Sequence, residues 1–531
     1  MLRRTKRLLC YIVSLLMLVP VLGGCTTKTN LDSENPDQAD ITGEVVVEES
    51  WWPEEKITLT AFWPIPPNVL KFITDFNEAS IYPVLEEQTN IHIEWQHGNE
   101  EQYSLMINSG DITDIVYAPG VTYAYPGGGE KAVADGSFLK LNDYLVNYGP
   151  NYTRLIETSP SSIKDSRTDS GTIWRFNMFE TEIQGAFLGM TVRKDWLDDL
   201  GIDTPETYDD WRAMLVKFRD EKGASAPLLL PQTLFSQDGD LVAGYGIGKA
   251  FYQVDGKVSY GPVQPGFKKF ITMLAEWYKA GLIDKDFATR DADSLNQLKY
   301  TQQTGAWNEG FWMFNFNKNK AEDADVFQQY AVTSPVENRG ESAHLRQVNY
   351  NVRDEWAAVS AKSKHPIEAV KWIDNLYSEE NYVLTNYGIE GEGYTKNGDA
   401  YELTPLITKN PDGLVMAEAL YRYTMHDGPM WRKWDRESPG WTEDEKAAEA
   451  IWNKSDATYV IPKISMTADE AQEFTTIMGD INTYVTETCV RYVMGLEDLN
   501  SLDGFQEDIK SMGIDRAITI QQNALDRYNE R

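Results

Sequence analysis

The sequence predicts an α/β protein of two lobes, and three observations carry that expectation. From Lys56 onward, strand-period and helix-period segments alternate as βαβαβ. The same kind of pattern begins afresh near Phe187, and no repeat of solenoid length links the two runs. A chain of 531 residues, 42% of them hydrophobic, can furnish more than one core.

The elements can be justified in order. Arg3, Arg4, Lys6 and Arg7 precede an apolar run from Leu8 to Leu22. At about 15 residues it is short for the roughly 30 Å of bilayer hydrocarbon. Gly23 and Gly24 then lead into Cys25, the layout of an export signal with small residues before its cut. Residues 1–24 are thus expected to be a signal peptide. Residues 25–55, rich in Thr, Asp, Glu, Asn and Ser, are expected to be a flexible tether. Alternation predicts strands over Ile57–Trp63, Ile91–Trp95 and Asp114–Tyr117, with helices over roughly Val69–Gln88 and Glu100–Asn108. The second run opens with a strand over Phe187–Val192. Thr207-Tyr208-Asp209-Asp210 has capping-box spacing ahead of a stripe of Tyr208, Trp211, Leu215 and Phe218. Further helices are expected near Gly266–Ala280, after Pro366, after Thr467 (capped by Thr467-x-x-Glu470) and over the last residues from Ile514; a strand is expected over Trp356–Ser360.

Composition excludes several classes. A net charge of -33 repels phosphate backbones, so no nucleic-acid partner is expected. Beyond Cys25 no apolar run is long enough to span a bilayer. Cys10 lies in the signal and Cys489 reads as a core residue, which leaves no disulfide and no cysteine metal cluster. The five histidines lack the spacing of a zinc helix, and neither a nucleophile elbow nor a phosphate-binding loop occurs. Gly244-Tyr245-Gly246-Ile247-Gly248 reads as a mobile loop rather than a dinucleotide fingerprint. Asp165 to Gly171 reads as a surface turn, because Ser170 and Phe176 stand where a calcium loop needs Gly and Glu. No catalytic residue, cofactor or metal is expected. A carboxylate pair for glycoside hydrolysis stays open, since such partners lie far apart in a chain.

What stands out is aromatic excess, with 16 Trp and 28 Tyr, many in segments of loop character. An aromatic ring offers a flat apolar face to the C–H side of a pyranose, while nearby polar groups bond its hydroxyls. The ligand-binding expectation therefore falls on Trp63, Asp114, Tyr117, Trp174, Tyr245, Trp307, Glu309, Trp312, Trp356, Glu390, Trp431 and Trp434.

Several stretches resemble one family. Ser109-Gly110-Asp111-Ile112-Thr113-Asp114-Ile115, Val192-Arg193-Lys194-Asp195-Trp196-Leu197-Asp198-Asp199-Leu200-Gly201 and the following Thr204-Pro205-Glu206-Thr207 are similar to motifs of extracellular solute-binding proteins that serve ABC sugar importers, in particular the large LplA-like lipoproteins. Trp277 to Ile283, Asn386 to Gly391 and the closing Gly513-Ile514-Asp515 helix match in the same order. Leu22-Gly23-Gly24-Cys25 likewise resembles a lipobox, which implies an acylated Cys25 that anchors the chain at the outer face of the cell membrane, in a Gram-positive setting. An ordinary cleaved signal is the plainer alternative. The resemblance implies a type II periplasmic-binding-protein-like fold with a hinge and an interlobe cleft, lobe 1 from 56–188 and about 355–395, lobe 2 from about 189–354 and 396–531. It implies a monomeric receptor that hands an oligosaccharide to ABC permease subunits. Alginate-binding relatives carry a calcium loop where this chain reads Arg219 to Pro227 without the alternating Asp and Asn, so no calcium is expected there. In the maltose-binding proteins an aromatic two residues past a strand-ending glycine stacks under sugar; Gly310 and Trp312 stand in those places. A sensory binding module and a surface hydrolase or lyase remain the alternatives.

Overall fold

The alternation that begins at Lys56 becomes strand β1 (Ile57–Phe62), flanked on both sides by parallel partners, β2 (Ile91–Gln96) and β3 (Ile115–Ala118). Helices Ile81–Thr89 and Glu100–Ser109 carry the two connections, as a parallel sheet requires. The computed structural model describes residues 52–65, 69–120, 123–182, 185–231, 240–436, 438 and 441–531. The expected signal peptide, Cys25 and most of the expected tether lie outside the described residues.

After β4 (Phe176–Glu180) the chain leaves this sheet and builds a second one from β5 (Leu188–Arg193), β6 (Ala306–Gly310) and β7 (Gln329–Ala331). It then returns through β8 (Val352–Val359) and later adds β9 (Trp431–Arg432). The first sheet has the order β9-β4-β8-β3-β1-β2, with β8 antiparallel to its neighbours, and the second β6-β5-β7, all antiparallel. Two cores follow from these faces. Leu59, Tyr117, Val359, Trp372 and Ile373 belong to the first sheet's core. Val192, Trp211, Phe218, Phe267 and Trp277 gather with the C-terminal helices against the second. This is a two-lobe α/β architecture. The chain stays with the first sheet past residue 395, because β9 pairs with β4.

Local chemistry explains most elements. Thr207 and Thr467 both form capping boxes, starting helices Tyr208–Glu221 and Ala468–Val493. Cys489 is buried, and burial pushes its thiol up. Three expectations need correction. The stretch 69–88 is not one helix: Asp75 accepts from the Asn77 amide, closes a short turn at Phe76–Glu78, and lets a helix start only at Ile81. Gly244 to Gly248 is an ordered turn, where Tyr245 stacks on Tyr208 at 4.3 Å and Gly246 takes a left-handed cap. Asp165 to Gly171 is more than a surface turn, since Asp169 binds Arg527 and Arg531 of the last helix and Ser465. Among the described residues no helix is long and apolar enough to cross a membrane.

Candidate functional site

Residues 181–182, 185–187 and 332–351, with 433–436, lie where the chain passes between the two sheets, and side-chain amides of the third stretch lace it to Glu180 and 185–187. Gln347 accepts from the Phe187 amide at 2.8 Å, and Asn349 donates to the Gly185 carbonyl at 3.2 Å. Asn351 donates to the Glu180 carbonyl at 2.7 Å while the Glu180 amide donates to the Asn351 carbonyl. Crossing strands held by local amide bonds rather than by a shared core can rotate while keeping their contacts, which suits a hinge.

Beside this lacing lies a network of charges. Glu180 is fully buried at the end of β4. One of its oxygens accepts from Arg432 Nε and Nη2 at 3.1 and 2.8 Å, the other from Trp434 Nε1 at 3.2 Å, and Arg353 Nε stands 3.7 Å away. Arg353 also reaches Glu355 and donates to Asn349. Further along, Tyr421 donates to Asp427 at 2.7 Å. Burial would raise the Asp427 carboxyl, but His426, the Tyr421 hydroxyl, Arg432 and Arg436 outweigh it and hold it below the usual range. Asp427 keeps 36% of its side-chain surface open. It also holds a left-handed φ of 54°, uncommon for a non-glycine residue and frequent where function fixes the backbone.

An aromatic train runs from this network to the second sheet. Arg432 lies 4.6 Å over Trp434, and ring centroids follow at 5.8 Å to Trp441, 4.5 Å to Phe311, 5.9 Å to Trp312 and 5.4 Å to Phe187. Trp312 ends the train with 48% of its surface exposed. Its ring folds back onto Gly310, where a Cβ would sit 2.2 Å from the ring. The glycine is thus needed for this close approach rather than for its backbone angle, since its φ of -81° is open to any residue. Flat apolar faces beside carboxylates and guanidiniums are the chemistry that suits polyhydroxylated rings.

Of the twelve residues expected to bind ligand, this crossover brings together only Trp312 and Trp434. Trp63, Tyr117, Trp307 and Trp356 are buried to 1% exposure or less and face cores. Trp63 ends a strand beside a loop, but Tyr117 stacks on it at 4.7 Å and Met425 and Gly428 cover it. Trp174 packs against Trp356 and Phe138 under Arg175. Trp307 donates to Glu309, which also takes Lys299, Asn317 and Gln329, a network inside the second lobe. Asp114 is anchored by Thr60 and Ser363 at the start of β3; burial works against these bonds, yet they hold its carboxyl low. Tyr245 packs on Tyr208, Trp431 on Tyr382 at 4.3 Å, and Glu390 is exposed beside the hairpin Tyr394–Leu403. Sequence reasoning missed Glu180, Phe187, Arg353, Glu355, Arg432 and Asp427. One signal was present: Gln347, Asn349 and Asn351 alternate as amides, which marks one face of an extended segment. A cavity of about 310 Å³ opens in the second lobe, lined by Met190, Leu230, Leu295, Lys299, Trp307 and Asn308 among others. Among the described residues no group of three or more His, Cys, Asp or Glu could hold a metal ion. Asp220, in the stretch compared above with a calcium loop, is paired with Arg219.

Two α/β lobes joined by laced crossovers, with a polar and aromatic surface beside them, define a two-lobe solute-binding protein of the periplasmic-binding-protein type. The chain belongs to the bacterial extracellular solute-binding protein family, whose model matches residues 73–383. The fructooligosaccharide ABC transporter substrate-binding protein FusA of Streptococcus pneumoniae is 23% identical over 96% of both chains. The alginate-binding protein AlgQ2 superposes with a TM-score of 0.74 at 22% identity, over 90% of this chain and 100% of that one. FusA in complex with kestose superposes with a TM-score of 0.71 at 20% identity, over 89% and 99%.

Proposed function

We propose that the protein is the substrate-binding component of an ABC importer, a receptor and not an enzyme, which captures an oligosaccharide at the crossover and delivers it to permease subunits. The exposed Trp312, mounted on Gly310 at the end of the aromatic train, is the observation that carries this reading. The family membership and the sugar-binding relatives support it. One lobe comprises residues 56–180 with 352–436, the other 188–331 with 441–531, and binding draws them together about the laced strands. The body acts as a monomer. It is held outside the cell by lipid on Cys25, a part of the proposal that rests on the lipobox resemblance alone. Cys25→Ser should release the protein to the medium or leave it unprocessed, and a variant still cut and membrane-held would contradict the anchor.

A thermal-shift screen with oligosaccharides tests the main reading. A ligand at a hundredfold excess over its dissociation constant stabilises the folded state by about 2.7 kcal/mol, a readily seen rise in Tm. Release of new reducing ends during the incubation would instead favour a hydrolase.

A further inference from the structure

The charges at the crossover carry information about the sugar that the aromatic rings do not. Three guanidiniums, Arg353, Arg432 and Arg436, face three carboxylates, Glu180, Glu355 and Asp427. Arg432 spends Nε and Nη2 on Glu180. Arg353 stands 3.5 Å from Glu355 and donates Nη1 to Asn349. Arg436 and Arg432 both hold Asp427 ionised, and Arg436 also reaches the Met425 carbonyl and His426. The open ends of these pairs lean acidic. Asp427 keeps 36% of its side chain open, against 8% for Arg432; Arg353 and Glu355 are equally open, at 19% and 17%.

From this arrangement we propose that the site takes an uncharged oligosaccharide and rejects uronic-acid chains, with Asp427 and Glu355 as the residues that set this choice. The inference rests on the sugar-receptor reading above and adds the charge of the ligand. Ionised carboxylates only accept hydrogen bonds, so they suit the O–H donors of neutral sugars. A uronate brings a further acceptor-only group beside Asp427 and Glu355. To take Arg432 it would have to displace Glu180, a carboxylate that would then be left without its guanidinium partner at full burial. A neutral hydroxyl asks for no such exchange. Like charges placed opposite one another are a common way to refuse a wrong partner.

The test is calorimetric titration of the full chain with a neutral panel (1-kestose, maltotriose, xylotriose and mannotriose) and with trigalacturonate and trimannuronate. The expected result is a neutral trisaccharide that binds, with both uronates weaker by about a hundredfold or more, the scale of a close like-charge contact. Asp427→Asn keeps a residue that tolerates the left-handed backbone. Together with Glu355→Gln it should narrow the ratio by about tenfold. Melting curves of the unliganded variants check that they fold. A uronate that binds the parent protein as tightly as the best neutral sugar overturns the inference and leaves the receptor reading intact. An unchanged ratio in folded variants overturns the assignment to Asp427 and Glu355. If no oligosaccharide of either class binds, the receptor reading fails and this inference falls with it.

Discussion

Glu180 and Glu309 make nearly the same contacts in different lobes, and they do different things. Each accepts from a tryptophan Nε1, Trp434 in one case and Trp307 in the other, and each is paired with a cation, Arg432 or Lys299. The Glu309 network stays within one lobe, where Lys299 and Trp307 border a cavity. Asn317 and Gln329 take up its remaining oxygen capacity, Thr191 backs Gln329, and every member lies inside the second lobe. The Glu180 network is open. It joins two strands 252 residues apart, and its outer members Arg353, Trp434 and Glu355 reach a surface that leads to Trp312. A buried ion pair is therefore no mark of a binding site. What distinguishes the two is whether the network stays within one lobe or ties together the strands of the crossover and leads on to exposed aromatic faces.

The largest expected effects separate the two glutamates. Glu309→Ala strands Lys299 in the second lobe and removes the acceptor for Trp307, so it should cost about 3–5 kcal/mol of stability by denaturant unfolding. The affinity of the protein that still folds should not change. Glu180→Ala should cost a similar amount and also weaken sugar binding, because Arg432, Arg353 and Trp434 lose the group that positions them. Equal effects of both changes on affinity would erase the distinction.

Next in size is the aromatic platform. Covering about 80 Å² of ring and pyranose surface contributes roughly 2 kcal/mol, about thirtyfold in affinity. Trp312→Ala should therefore weaken binding at least tenfold and barely move the unliganded Tm, since the ring is half exposed. Loss of stability with intact affinity would return Trp312 to the packing of Phe187 and Phe311.

A third buried carboxylate sharpens the comparison from the other side. Asp374 accepts from the amides of Asn151 and Tyr152 but has no cation within ion-pair distance among the described residues. Burial therefore wins and its carboxyl is pushed up to about 6. Unfolded, it titrates near 3.9. The folded state thus binds the proton more tightly, and this contribution to stability declines as pH rises from about 4 to about 6. Relative to Asp374→Asn, the parent should lose about 1 kcal/mol per pH unit across that window, read from unfolding curves. Parallel curves would show that the Asn151 and Tyr152 amides offset the burial of Asp374.

The same contrast shows how far sequence reasoning reaches. The βαβαβ run, the capping boxes at Thr207 and Thr467 and the buried Cys489 were legible, because periodicity and caps are local. The stretch 69–88 was not, since a single Asp75 side-chain bond breaks what hydrophobic spacing alone would continue. The site was legible only at Trp312 and Trp434. Loop character did not predict exposure: Trp63 lies in a loop and is covered by residues about 360 positions later in the chain, around Met425 and Gly428. Glu180 and Arg432 carry no local signal at all, because their meeting depends on β9 pairing with β4.

Small-angle scattering of the protein with and without a saturating oligosaccharide tests the central claim, a pair of lobes that closes on sugar about the laced crossovers. The account predicts a smaller radius of gyration in the complex, and a clearly smaller change in Trp312→Ala when the sugar is held at about ten times the parent's dissociation constant. An identical profile at proven saturation would contradict it.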